Sequence, residues 1–123
     1  MGTFRELIAY QKGFMLSMEI FKISMRFPKD EKYGLTSQIR RSSRSVCSNI
    51  AEAYRKRKYE AHFLSKLSDA DMENTETKVW LDYSLECKYI SDQEYNRLME
   101  KADEVGRLLN YMMEHPEKFR WNP

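Results

Sequence analysis

Residues 39–58 read IRRSSRSVCSNIAEAYRKRK, a stretch without glycine or proline in which apolar residues recur at helical spacing. The pattern begins at Leu35 and predicts a helix over residues 35–57. Arginines and small polar residues occupy most of its surface, so a core-forming helix also carries strong positive charge. The side that faces the core is formed by Leu35, Ile39, Val46, Ile50 and Ala53.

The same periodicity predicts three further helices, over residues 4–26, 59–88 and 91–114. The first ends before Phe27 and Pro28, because a residue that precedes proline is disfavoured in helical conformation. The last begins with Ser91, and Glu94 three residues later completes a capping box. The core face expected for the first helix consists of Phe4, Leu7, Ile8, Phe14, Met15, Met18, Phe21 and Met25.

Four amphipathic helices with short connections, and no segment with strand-like alternation, predict an all-α fold. We expect an up-down-up-down antiparallel four-helix bundle that forms one domain over residues 1–123. The segment MGTFRELIAY lacks the apolar core of a signal peptide, and no apolar run of about 18 residues occurs in the sequence, so we expect neither a signal peptide nor membrane contact. Cys47 and Cys87 are isolated, which is typical of free thiols in a cytoplasmic protein.

Two helices carry a second apolar stripe in addition to their core face. Single apolar side chains are common on protein surfaces, whereas contiguous patches usually mark interfaces. Two independent stripes therefore predict self-association into a homo-oligomer. The predicted interface residues are Leu16, Ile20, Ile23 and Phe27 in the first helix, and Met72, Val79, Tyr83 and Ile90 in or after the third.

Charge is unevenly distributed along the chain, although the formal net charge is only +2. Residues 34–58 contain seven basic residues and one acid, whereas residues 60–89 contain seven acids and three lysines. In one interpretation the basic residues contact the phosphates of a nucleic acid; in the other they pair with the acids of the third helix. The candidate nucleic-acid-binding residues are Arg40, Arg41, Arg44, Arg55, Lys56, Arg57 and Lys58.

Motifs of catalytic and metal sites are absent from the sequence. There is no glycine-rich phosphate loop, no HExxH and no CxxC, so we expect no enzymatic activity, no cofactor and no metal. Arg57 and His62 match a spacing found in helical RNA-cleaving domains, where the histidine acts as general base. Arginine is frequent in this chain, however, and such a spacing arises easily by chance.

Three segments closely resemble one protein family: FRELIAYQK (4–12), FPKDEKYGLTSQIRRSSRSVCSNIAEAYRKRKYEAHFLSKLSDA (27–70) and SDADMENTETKVWLDYSLECKYIS (68–91). That family comprises small four-helix-bundle proteins encoded in intervening sequences of bacterial large-subunit ribosomal RNA genes, sometimes filed under ribosomal proteins. The chain departs from the family pattern at Ala53, where glycine is usual, and at Ser42, where a small apolar residue is usual. The characteristic positions of the family correspond to Gln38, Arg41, Ser45, Ser48, Asn49 and Glu52.

This family is similar to the accessory variability protein of diversity-generating retroelements, a homopentameric barrel of four-helix bundles. That protein binds a reverse transcriptase and nucleic acid through basic surfaces. The resemblance therefore implies a ring-like homopentamer and favours binding of nucleic acid.

Three functional interpretations are open. The favoured one is a non-enzymatic homo-oligomer that binds RNA through the basic surfaces of the second helix. The second is a protein-binding scaffold or accessory subunit for a polymerase-like partner, and the third is a helical ribonuclease. Within the first, the face from Arg41 to Glu52 serves a neighbouring subunit, while Arg40, Arg44 and residues 55–58 contact phosphate.

Overall fold

Four α-helices make up most of the chain in the computed structural model, which describes residues 2–121. The described residues contain no β-strand, so the protein is all-α, as the sequence pattern predicts. Short 3₁₀ turns lie at Phe4–Glu6, Lys29–Glu31 and Pro116–Phe119. The helices are α1 (Ile8–Ser24), α2 (Leu35–Arg55), α3 (Glu60–Glu86) and α4 (Asp92–Glu114).

Each helix packs against two others: α2 against α1 and α3, and α4 against α3 and α1. All five apolar residues that predict the core side of α2 are buried. Completely buried side chains from every helix meet between them, and their burial is the main favourable contribution to folding. They include Ile20, Ile39, Ile50, Leu67, Leu81, Leu98 and Leu109.

Leu7 is buried in the core as predicted, but along α1 itself the core side is mainly the opposite of the predicted one. Leu16, Ile20, Ile23, Phe27 and Ile90, all predicted interface residues, are at most 9% exposed and belong to the core. These five residues are therefore not available to a neighbouring subunit, and their assignment to an interface is wrong. The apolar side chains that α1 and its end expose to solvent are Ile8, Phe14, Met15, Met18 and Met25.

The size of the side chains between α1 and α2 explains this reversal. Ala9, Gly13 and Ser17 lie one turn apart on the buried side of α1. A Cβ atom on Gly13 would lie 3.3 Å from the Sγ of Cys47 and 3.6 Å from Cγ1 of Val46, so the two helices approach closely there. The bulkier phenylalanine and methionine side chains of the opposite face do not fit this contact.

Small hydroxyl residues join α2 to α3. Ser42 and Thr77 are completely buried, and their hydroxyl oxygens lie 2.8 Å apart. Each hydroxyl also has a backbone acceptor within reach, the Glu73 carbonyl at 2.9 Å for Thr77 and the Ile39 carbonyl at 3.4 Å for Ser42, so either can be the donor between them. Both hydroxyl groups are therefore hydrogen-bonded, which offsets the cost of burying them. The pair fixes the rotation of α2 about its axis, and with it the side chains that face solvent.

The predicted capping box at the start of α4 is confirmed. The Ser91 hydroxyl accepts a hydrogen bond from the Glu94 amide at 3.1 Å, and the Glu94 carboxylate accepts one from the Ser91 amide at 2.9 Å. Arg26 donates to the same carboxylate at 2.8 Å. The bond from Arg26 and the bond from the Ser91 backbone lower the pKa of Glu94 from its ordinary 4.5 to about 2.

Glu94→Gln should therefore make the free energy of unfolding less dependent on pH in acidic solution. The pKa of Glu94 is lower in the folded state than in the unfolded state. Its contribution to the free energy of unfolding is therefore complete above pH 4.5 and is lost as the pH falls toward 2. Glutamine preserves the capping box, so the variant removes only the charge. We expect urea unfolding between pH 2 and 4.5 to show a flatter pH profile for the variant than for the wild type.

Glu100→Gln is the matched control, since Glu100 is an exposed carboxylate of the same helix. Its pH profile should follow that of the wild type. Parallel profiles for Glu94→Gln and the wild type would contradict the assigned role of the ion pair.

Candidate nucleic-acid interface

An open groove of about 620 Å³ runs along the first half of α2 and the turn that precedes it. Ser37, Arg41, Arg44 and Ser48 follow one another at steps of four, three and four residues, which is one face of a helix. Cations and hydroxyl groups dominate the lining, and among the described residues no acid contributes to it. The lining residues are Lys32, Tyr33, Thr36, Ser37, Arg40, Arg41, Arg44, Ser45 and Ser48.

Arg40 is held against α1. Its Nε donates to the Ser24 hydroxyl at 2.8 Å, and an Nη donates to the Phe21 carbonyl at 3.4 Å. The guanidinium also lies over the Phe21 ring, 4.7 Å from its centroid. These contacts fix Arg40 at the wall of the groove, and within residues 2–121 its guanidinium forms no ion pair with an acid.

Arg41 is neutralised within the chain. Its guanidinium lies 3.2 Å from the Glu73 carboxylate and is also paired with the carboxylate of Glu76. Gln38 accepts a hydrogen bond from the same guanidinium at 3.4 Å. For this arginine, pairing with the acids of the third helix is the interpretation that the structure supports, and Arg41 is not a free phosphate ligand.

Arg44 and Lys32 are the freest cations of the groove. Arg44 is exposed, and its guanidinium lies 5.6 Å from the centroid of the Phe21 ring. Lys32 Nζ lies 5.3 Å from the ring of Tyr33. Within residues 2–121 neither forms an ion pair with a carboxylate. Both charges are therefore available to an anion from outside the chain.

Four groove residues are missing from the sequence-based assignment. They precede the arginines, in a segment whose charge pattern predicts only a connection and a helix start. Two sequence features indicate these four residues: a tyrosine next to a lysine in a polar turn, and the four-residue spacing of Ser37 and Arg41. The four residues are Lys32, Tyr33, Thr36 and Ser37.

The second predicted basic cluster, residues 55–58, lies at the other end of α2, about 16 Å from Arg44 along the helix. Arg55 and Lys56 are exposed and interact favourably with the helix carboxyl terminus. Arg57 donates to the Tyr54 carbonyl at 2.9 Å and lies 3.6 Å from that ring's centroid. Lys58 Nζ is 5.2 Å from the Trp121 ring. The two clusters are thus separate surfaces.

The characteristic family positions mainly attach α2 to α3 and order its exposed side. Glu52 pairs with Lys66 of α3 at 3.5 Å, so both ends of the face from Arg41 to Glu52 contact α3 within the chain. Between them, Ser48 and Asn49 both donate to the Ser45 carbonyl, at 3.1 and 2.9 Å.

The arginine and histidine of the ribonuclease hypothesis have separate partners. Arg57 contacts Tyr54, whereas the exposed His62 lies against Tyr59, with ring centroids 5.9 Å apart. Among residues 2–121, no three metal-binding side chains are grouped so that they could hold an ion. Nor does any helix in that part of the chain have the length and apolarity needed to cross a membrane.

Fold and site together define an all-α protein of four helices with a cationic groove on the second. The family described as 23S rRNA-intervening sequence protein matches residues 5–111, and the chain belongs to this family. The resemblance noted in the sequence is therefore confirmed.

The chain is also similar to a protein of unknown function from the S23 ribosomal protein family of Bacteroides thetaiotaomicron, known from a crystal structure. The two are 26% identical, and the similarity covers 87% of this chain and 96% of that one with a TM-score of 0.79. No curated protein matches the chain.

Arg41→Met should destabilise the protein by about 1 kcal/mol, because it leaves Glu73 and Glu76 without their shared partner. Arg44→Met should change the free energy of unfolding by less than about 0.5 kcal/mol, since its charge has no carboxylate partner within the described chain and only a distant contact with the Phe21 ring. Urea unfolding at neutral pH measures both. A larger loss in Arg44→Met than in Arg41→Met would contradict this division.

Proposed function

We propose that this protein is a non-enzymatic RNA-binding module that contacts phosphates through Lys32, Arg40 and Arg44. The free charge of Arg44 in a groove lined with hydroxyl groups is the observation that carries the proposal. Arginine binds phosphate through a planar fork of donors, and serine hydroxyls add hydrogen bonds to phosphate or sugar. The cluster at residues 55–58 adds long-range attraction.

Two family names support RNA as the polyanion: 23S rRNA-intervening sequence protein, and the S23 ribosomal protein family of the similar structure. The cytoplasm is the compartment that suits this function. It also suits the two free cysteines, of which Cys87 is exposed.

We propose further that the helices run up-down-up-down and that copies assemble through two apolar seams. The α1 seam consists of Ile8, Met15, Met18 and Met25, which follow steps of seven, three and seven residues. The α3 seam consists of Met72, Val79 and Tyr83, which are between 43% and 66% exposed, in agreement with their predicted place at an interface. Such steps suit helix-to-helix contacts between chains.

The placement of the seams favours a ring. Both α1 and α3 pack against α2 and α4, so their exposed sides point away from each other across the bundle. An α1 seam that meets the α3 seam of the next copy forms a head-to-tail contact, and such contacts form a ring when the rotation between copies closes. A homopentamer is the ring that the family resemblance implies.

Charge reversal at Arg44 should lower RNA affinity by at least about tenfold. Fluorescence anisotropy with a labelled ribosomal RNA fragment, titrated from low to physiological salt, measures both affinity and salt slope. Each phosphate contact that Arg44→Glu removes should reduce the slope by about 0.7 to 0.9.

Arg107→Glu on α4 is the control, because Arg107 is exposed on a helix that does not pack against α2. Equal losses from both variants would mean that only net charge matters and would overturn the site. Wild-type binding that appears only at low salt would favour the scaffold for a polymerase-like protein instead.

Met15→Glu should dissociate the oligomer, because it places a charge in the α1 seam. Light scattering after gel filtration should give the wild type a mass of five times its 14.8 kDa, and the variant the mass of one chain. Asn96→Glu, at an exposed polar position of α4 outside both seams, should leave the assembly intact. A monomeric wild type would contradict self-association, and a dimer would contradict the ring.

A further inference from the structure

Tyr33 is exposed in a way that core packing does not explain. Its side chain is 86% exposed, more than any other large apolar or aromatic side chain among the described residues. No other aromatic ring in that part of the chain stacks on it, and its neighbour is Lys32 Nζ, 5.3 Å from the ring centroid. A tyrosine ring buries a large area when it finds a partner, so this one presents unused contact surface at the groove.

The turn that carries Tyr33 is rigid. The Lys32 and Gly34 amides donate to the Lys29 and Glu31 carbonyls, each at 3.0 Å. The Glu31 carboxylate accepts from the Leu35 amide at 3.1 Å and from the Tyr89 hydroxyl at 2.9 Å.

The two hydrogen bonds of the Glu31 carboxylate depend on the protonation of Tyr89 and on the space left by Gly34. The bond to Glu31 raises the pKa of Tyr89 to about 12, so its hydroxyl stays a donor at every ordinary pH. A Cβ atom at Gly34 would lie 2.9 Å from the Glu31 carboxylate, so any larger residue there would displace that carboxylate. The ring of Tyr33 therefore stands on a preorganised base, which limits the entropy lost when a ligand stacks on it.

Cations and hydroxyl groups continue from this ring along α2. Ser37 to Ser48 span about 16 Å of the helix, and Arg44 lies between them with its charge free. Lys32 Nζ lies over one face of the ring, 5.3 Å from its centroid, which leaves the other face for a ligand. A flexible strand whose base rests on that other face meets positive charge at the ring and again further along the helix.

We infer that the groove binds a single-stranded segment of RNA, with one unpaired base stacked on Tyr33 and flanking phosphates at Lys32 and Arg44. This inference rests on the proposed function and specifies its ligand. Bases within a duplex are covered on both faces by their neighbours, so a tyrosine platform selects bases that are unpaired. Stacking also tolerates any base, since every base has an aromatic face.

Tyr33→Ala should weaken binding of a labelled uridine RNA of about ten nucleotides by roughly 5- to 150-fold, the loss typical of one stacked base. Tyr33→Phe keeps the ring and should stay within about twofold of the wild type, whereas Tyr33→Leu should resemble alanine. The salt slope should stay unchanged in Tyr33→Ala, because no phosphate contact is lost. A fully paired RNA hairpin stem should bind all three variants alike.

These variants separate the inference from the function on which it rests. Equal affinities of Tyr33→Ala and Tyr33→Phe for the single strand, with a loss in Arg44→Glu, would overturn stacking and leave phosphate binding intact. Unchanged affinity in Arg44→Glu as well would overturn both. Because Tyr33 is exposed, the variants should keep the wild-type thermal unfolding temperature, and circular dichroism checks this.

Discussion

The contact between α2 and α3 determines which side chains of α2 face solvent. Ser42 and Thr77 are in contact in the core, with their hydroxyl oxygens 2.8 Å apart. Because both side chains are small, the two helices approach each other closely there. Because interiors are densely packed, this contact admits only one rotation of α2. That rotation brings Arg41 to Glu73 at the edge of α3 and turns Arg44 to solvent. A larger side chain at position 42 would displace the whole groove.

The chain pairs many of its charges internally, and this distinguishes the cations that remain free. Glu19 lies between two basic residues of α4, at 2.7 Å from Lys101 and 3.7 Å from Arg97. Lys78 of α3 pairs with Asp103 of α4 at 2.6 Å. Exposed pairs of this kind contribute only about 0 to 1 kcal/mol each, so their main effect is on the surface potential. Acids still outnumber basic residues in α3 and α4, whereas basic residues outnumber acids in α2.

The sequence predicts an element well where one helix contains all the information. α2 has a single apolar side, and the capping box at Ser91 is a local pattern, so both are predictable. α1 is apolar on two sides, and the choice between them depends on how closely Gly13 approaches Cys47 of another helix. The partner of Arg41 likewise depends on the rotation of α2 against α3. Tyr33 lies at the groove because of the turn before α2, and the periodicity of apolar residues does not predict the conformation of a turn.

The groove and the apolar seams lie on different helices, and this makes the two proposed properties compatible. A ring built from α1 and α3 contacts leaves α2 uncovered, and rotation about the ring axis presents every groove in an equivalent orientation. One copy offers two free cations beside a fixed arginine, which is a weak site at physiological salt. Linked copies raise the effective concentration of each groove for a strand already bound at another. Under the proposed function, self-association would therefore make so few free charges per copy sufficient for binding.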